Sequence, residues 1–373
     1  MGIAILRKFL TGIFDMNCIA FLYKVRQGAS PKEEYNPSID IHANYWKLPI
    51  SNSEYNRFFD LGIKVYNSQD IESIFVYLPF IDASLKDRIE DLGKIVSSHE
   101  FASTFFNNDM GVHTFPNSPS YSYVLPVNKD SEQPFWIYAI DKSNIEVTKY
   151  PHGSLIEIKV LTRPEKMNIV PVDTNEGEIG QNNLYIRLRI NNVKEGEFFT
   201  IESIKNDVFQ SAFNNTEIIN FHVNSIRELY SDDFQMLKTS ASFLQVNKFH
   251  FFFVGSPQDE VVSNGSQKIE CSLIEIAKWE KYLKQAHSKK KTCMSYHWKY
   301  EQIQNPYHIF CRTIYRASNW CKIIEYILIV LALGIFASYI ANLIPIWQAE
   351  NTSIEQVNDS IQSQSPSDDR EAK

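Results

Sequence analysis

The chain has 373 residues, and 37 Lys and Arg against 44 Asp and Glu leave a formal net charge of −7. That balance lacks the basic footprint of a nucleic-acid binder, so no double-stranded nucleic acid is expected as a partner. Hydrophobic residues at 44 % are ordinary for a globular chain, and 25 Phe with 19 Tyr favour β structure.

Residues 1–26 form an amphipathic N-terminal segment. On a helical wheel Leu6, Phe9, Leu10, Ile13 and Phe14 fall opposite Arg7, Lys8, Thr11 and Asp15. Such a helix can lie in a membrane interface or pack on a domain, and both readings stay open. Arg7, Lys8, Asp15 and Asn17 interrupt the apolar stretches, so no signal-peptide core is present. Leu6 stands where a myristoylation motif needs Ser or Thr. Residues 27–45, with Gly, Pro, Ser, Asn and charges, read as a linker.

A β-rich domain is expected over 46–255. Short aromatic or β-branched runs predict strands at 73–80, 121–127, 135–140, 145–150, 154–160, 184–190, 198–204, 218–223 and 248–255. Pro151, His152 and Gly153 join two of them as a hairpin. Many strands with few helices between them predict an α+β, predominantly β fold, an antiparallel β-sandwich or barrel-like domain. Ser84 is placed to cap a helix whose stripe is Leu85, Ile89, Leu92 and Val96.

The run 184–190 alternates cleanly. Leu184, Ile186, Leu188 and Ile190 face one way, and Tyr185, Arg187 and Arg189 the other. Arginine forks take phosphate oxygens in pairs and Tyr offers a stacking surface. This face is the candidate ligand-binding site, for a nucleotide-like molecule or a protein partner. The competing reading is a plain solvated face of an antiparallel strand. His222 and His250 read as core or edge histidines.

Catalytic signatures are missing: there is no G-x-G-x-x-G, Walker A or G-x-S-x-G. His99-Glu100 starts an H-E-x-x-H pattern, but Ser103 replaces the second ligand. The turn 173–177 departs from a calcium loop in its glycine position and in Leu184. Cys293 and His297, with His287 and Cys311 nearby, make a weak zinc pattern without a C-x-x-C knuckle. No cofactor or metal is expected. The five cysteines, Cys18, Cys271, Cys293, Cys311 and Cys321, read as free thiols, with Cys311 and Cys321 open to S-palmitoylation.

Residues 256–322 are expected to form a helical, basic juxtamembrane region. One helix is predicted at 269–288, with Ile276, Trp279, Leu283 and Ala286 on its apolar side. The stretch 307–322 is aromatic and basic and is expected in the interface. Lys289, Lys290, Lys291, Arg312, Arg316 and Trp347 are the candidate lipid-contacting residues. Anionic lipid attracts each such cation by roughly 1 kcal/mol.

A single transmembrane helix is predicted at 323–347. From Tyr326 to Ile344 there is no charged residue, and hydrocarbon needs about 20 apolar residues. Pro345 is expected to close it. Positive residues are dense before the helix, whereas Arg370 is the first after it. The positive-inside bias therefore places the N-terminal domain in the cytosol and the tail on the opposite side. Residues 348–373 are expected to be a disordered acidic tail. Inside the helix Gly334, Ser338 and Asn342 share a face and are the candidate oligomerisation surface.

The expected function is a membrane-anchored cytosolic sensing or binding protein that oligomerises through its helix. An effector or pore output, of the kind seen in bacterial antiviral defence, is an analogy of architecture alone. The alternatives are a membrane-tethered hydrolase without a sequence-evident motif and a structural subunit that recruits a partner to the membrane.

Overall fold

The computed structural model describes residues 17–28, 35–50, 54–106, 108–127, 133–162, 182–202, 214–263, 269–283, 292–301, 306–316 and 320–362. The expected N-terminal helix, His287, Ala286 and Lys289–Lys291 lie outside them. In chain order the first strands are β1 (Asn17–Val25), β2 (Ser38–Pro49), β3 (Tyr55–Tyr66), β4 (Ile71–Leu78), β5 (Ile89–Asp91), β6 (Met110–Thr114) and β7 (Tyr121–Pro126). There follow β8 (Phe135–Tyr138), β9 (Ile145–Lys149), β10 (Ser154–Lys159), β11 (Leu184–Ile190), β12 (Phe199–Glu202) and β13 (Asn214–Val223). The last are β14 (Ser242–Phe243), β15 (Gln245–Gly255), β16 (Glu260–Ser263), β17 (Ile269–Glu275), β18 (Thr292–Tyr300) and β19 (Tyr307–Arg316).

They form two sheets. The smaller runs β16-β19-β13-β1-β4-β10-β9, with β12 on β13 and β14 on β1. The larger runs β17-β18-β15-β2-β3-β11-β8-β7-β6, with β5 on β11. Both are mixed, which corrects the expected antiparallel topology. β1 lies parallel to β13, β11 to β8 and β15 to β2. Each of these parallel partners is distant in sequence, so the intervening chain supplies the crossover that a parallel pair requires.

One apolar core joins the sheets. Ile19, Phe21, Val76, Ile156 and Phe221 enter it from the smaller sheet. Ile41, Leu61, Ile63, Ile186, Leu188 and Phe251 enter it from the larger. The outer faces are covered too. The helix Ser231–Ser240 brings Leu237 onto Ala20, Leu22 and Tyr77 of the smaller sheet. It is tied there by Asp233, which accepts hydrogen bonds from Tyr77 Oη (2.5 Å) and the His152 backbone N–H (3.1 Å). The short helices Gly93–Val96, His99–Phe106 and Glu280–Leu283 bring Val96, Phe101 and Tyr282 over Trp46, Phe58 and Tyr185 of the larger sheet.

Several expectations are corrected here. The linker at 27–45 is half strand, because β2 hides its apolar residues on one side only. Ile39, Ile41, Ala43 and Tyr45 enter the shared core, while Asp40, His42 and Asn44 take the other face and make the stretch look polar. Residues 17–25, the end of the amphipathic N-terminal segment, are β1. The region 256–322 is strand for most of its described length. Residues 269–275 are β17, followed by a 3-10 turn and four helical residues. Tyr307–Arg316 is β19, paired in full with β13, so Arg312 is exposed on a strand and Arg316 ends it. The helix begun at Ser84 stops after Arg88, and Ile89 starts β5; Leu85, Ile89, Leu92 and Val96 are nonetheless all buried.

The chain divides into two compact units, 1–206 with 214–317, and 207–213 with 318–373. The described part of the second is one helix, Trp320–Gln362, about 65 Å long at its rise per residue. Ile323–Asn342 is long and apolar enough to cross a membrane, and none of it is buried. Pro345 lies inside this helix rather than at its end; an interior proline costs one backbone hydrogen bond and does not have to terminate a helix. The helix also carries on through 348–362, correcting the expected disorder there. Once nucleated, a helix adds one bond per residue, and Gln348, Ala349 and Glu350 are good formers. Trp347 is within the helical run.

Candidate functional site

The face of β11 that carries Tyr185, Arg187 and Arg189 is not solvated. All three side chains are buried, at 0 %, 0 % and 1 % exposure. β11 is interior to its sheet, and the helices over the larger sheet roof this face. The expectation of an open arginine surface is corrected for that reason.

Beneath the roof the arginines build a polar network. Arg189 Nε and Nη2 donate to the two carboxylate oxygens of Asp60 at 2.6 and 2.9 Å. Tyr282 Oη donates to Asp60 Oδ2 at 2.7 Å and accepts from Arg187 Nε at 2.7 Å. Burial raises the Tyr282 phenol well above its ordinary range, so it stays protonated and keeps that donor. The Arg189 guanidinium stacks 4.1 Å from the Phe58 ring centre, and that of Arg187 lies 4.5 Å from the Phe105 ring centre. Phe105 and Tyr282 come from two different roofing helices, so the arginines pin both to the sheet.

Arg187 differs from Arg189 in what it meets. Its acceptors among the described residues are neutral: Tyr282 Oη, Tyr185 Oη at 3.2 Å and Asn44 Oδ1 at 2.9 Å. To reach Asn44 on β2 it crosses β3 at Gly62, which is in register with both Arg187 and His42. A Cβ at Gly62 would collide with Tyr185 Oη and lie 2.7 Å from Arg187 Nη1. The glycine is therefore the passage for the guanidinium.

The roof does not extend over the whole sheet. Next to Asn44, His42, His250, Phe252 and His297 are only partly buried, on β2, β15 and β18. His250 is in register with His42, and Phe252 with His297. His250 Nδ1 and His297 Nε2 are 3.0 Å apart, and the His42 and His250 ring centres 5.0 Å. Phe252 lies flat on His297 at 4.1 Å. Burial lowers the pKa of all three histidines, taking His250 to about 4, and each imidazole also feels its neighbours. The Arg187 guanidinium and the Lys64 amine add to the lowering at His42. The result is a shelf of three neutral imidazoles beside the tip of a buried cation. Sequence reading missed it because His42 fell in the supposed linker and His297 in a supposed zinc pattern. The available signal was the period-2 alternation, which puts each of these histidines on a non-core position of its strand.

A second charged cluster sits at one end of the shared core. Glu217 accepts from Tyr45 Oη and Arg57 Nη2, both at 2.8 Å. Lys47 Nζ is 3.6 Å from Glu217 and 3.3 Å from Asp259, and 3.2 Å above the Tyr315 ring centre. Glu217 and Lys47 are sealed from solvent, so this cluster is an internal tie between the sheets.

Among the described residues no group of three or more His, Cys, Asp and Glu is arranged to hold a metal ion. Cys293 and Cys311 are buried and in no disulfide, and burial pushes the Cys311 thiol well up, away from the thiolate a metal needs. Gly334, Ser338 and Asn342 are all exposed on the C-terminal helix. No family model matches this chain, and no curated protein matches it either.

Proposed function

We propose that this chain is a membrane-anchored binding protein, whose β-rich unit recognises a ligand or partner while the C-terminal helix holds it at a bilayer. The observation that carries this reading is the helix 323–342, apolar over a bilayer's thickness and exposed along its length. Ile335, Val330 and Leu333 are each more than 60 % exposed. Apolar surface left in water costs about 25 cal/mol per Å², and hydrocarbon removes that cost for a whole helix at once. The basic stretch before the helix, including Lys289, Lys290, Lys291 and Arg312, supports a cytosolic position for the β-rich unit by the positive-inside rule.

Self-association is part of the same proposal. Gly334, Ser338 and Asn342 recur every four residues on the helix, and space is open around Gly334. Close approach there lets Asn342 hydrogen-bond across an interface. Action on the membrane would follow from assembly of that kind.

Protease treatment of sealed vesicles carrying the full chain tests the sidedness. In vesicles with the cytosolic face outward the β-rich unit is expected to be cut, and in vesicles of the opposite sense to survive until detergent is added. Cleavage in the second kind alone would reverse the orientation.

A further inference from the structure

The histidine shelf of the larger sheet has a feature that structural packing leaves unexplained. Arg187 is fully buried, and its acceptors among the described residues are two phenols and an amide. A buried cation is costly unless charge of opposite sign is close by. The nearby carboxylates are already engaged. Asp60 is held by Arg189 and Tyr282. Asp40 on β2 accepts from Tyr66 Oη at 2.6 Å. Glu270 on β17 is 65 % exposed and sits 3.6 Å from the far nitrogen of His297. Glu301 pairs with Lys299 at 2.6 Å.

Three lysines also surround the shelf, one of them, Lys299, being the partner of Glu301. Lys64 projects from β3, Lys248 from β15 and Lys299 from β18, and each acts on one or more of these histidines. The imidazoles themselves are neutral. With Arg187 these three lysines stand against Asp40, Glu270 and Glu301, an excess of one positive charge at a part of the face that the helices leave partly open. The local donors suit an oxyanion. Asn44 has an amide N–H₂, an imidazole presents an N–H at each protonated nitrogen, and the guanidinium of Arg187 is directly behind.

We propose that the shelf formed by His42, Asn44, His250 and His297 over Arg187 is a binding site for a compact oxyanion, a phosphate group or a carboxylate carried by a small molecule. The anion gives Arg187 a counter-charge of its own, beside Asp60, which it shares with Arg189. It also favours the protonated imidazoles, so binding draws a proton into the site and is stronger in acid. This inference names the ligand class for the binding role proposed above. It stands or falls in detergent solution, whether or not the chain is anchored in a bilayer.

Calorimetry of the full chain in a nonionic detergent tests it, with sodium sulfate as the tetrahedral probe and sodium acetate as the planar one. Sulfate does not titrate near neutrality, so any pH effect belongs to the protein. If the bound anion restores one imidazole to its ordinary pKa, sulfate binds about tenfold more tightly at about pH 5.5 than at about pH 7.5. Titrations in two buffers of different ionisation heat should then show uptake of about one proton. The His250→Gln and His42→Asn variants are each expected to lose most of that pH dependence. His308→Gln, in the smaller sheet, should retain it. Tighter binding of acetate than of sulfate would assign the site to carboxylates. Absence of saturable binding of both ions at both pH values would overturn the proposal, as would the same pH dependence in His250→Gln and His42→Asn as in the parent chain.

Discussion

Replacing Asp60 by alanine is expected to lower the stability of the β-rich unit by about 3–5 kcal/mol, the usual cost of leaving a buried charge without its partner. Asp60 is fully buried and is the one carboxylate hydrogen-bonded to Arg189 among the described residues. It also holds the Tyr282 hydroxyl, which positions Arg187. Its loss therefore strips a counter-ion from two stacked guanidiniums and removes one of the bonds that tie the helix Glu280–Leu283 to the sheet. Urea unfolding of the full chain, followed by tryptophan fluorescence, reads the effect as a lower midpoint. The double variant Asp60→Ala with Arg189→Met should be less damaged than the sum of the two single changes, because the stranded charge is then gone. A midpoint that hardly moves in Asp60→Ala would mean that the arginines find solvent or another anion.

The second large effect is one of pH. Burial lowers His250 and His222 from 6.5 to about 4. Above pH 6.5 both are neutral in the folded and the unfolded chain, so they leave stability unchanged. As the pH falls from 6.5 towards 4 the unfolded chain takes up protons that the folded chain refuses. A tenfold difference in proton affinity between the two states is worth about 1.4 kcal/mol, so stability falls over that window by about 3 kcal/mol for His250. His222 acts in the same direction. His42, His297 and His308, also lowered by burial, act in the same direction. Asp40 and Asp91, whose carboxyls burial pushes up, act in the opposite one. Urea midpoints measured across this range should fall for the parent chain and fall less steeply for His250→Gln and for His222→Gln. Equal slopes in all three would remove the histidines as the cause. Sulfate should also blunt the loss if the shelf binds it, since a ligand that prefers the folded state stabilises that state.

The legible part of the fold was the part where one residue's side chain faces one kind of surroundings. Strands β4, β7 to β11, β13 and β15 are short apolar or aromatic runs between turn residues, and their positions could be read directly. β2 could not, because its core side carries the apolar residues and its other side Asp40, His42 and Asn44. β17 was read as a helix because Ile269–Glu275 alternates only loosely and most of it is exposed at the edge of the sheet. The parallel pairings were beyond reach, since each joins strands far apart in the chain.

The site shows the same limit. The alternation of β11 correctly put Tyr185, Arg187 and Arg189 on one face. Whether that face meets water depends on Phe105 and Tyr282, which reach it from helices far away in the chain on either side. The exchange of a solvated arginine face for a buried one moves the point of recognition. Arg187 now acts from below, and the open positions belong to histidines of β2, β15 and β18.

The claim on which the proposed membrane role depends is that residues 323–342 sit in hydrocarbon. Alkaline carbonate extraction of the full chain from bilayers tests it most directly. Retention in the membrane pellet after extraction, with release only by detergent, is the predicted result. Quantitative release into the alkaline supernatant would contradict the account, and the exposed helix would then need a protein partner to cover it.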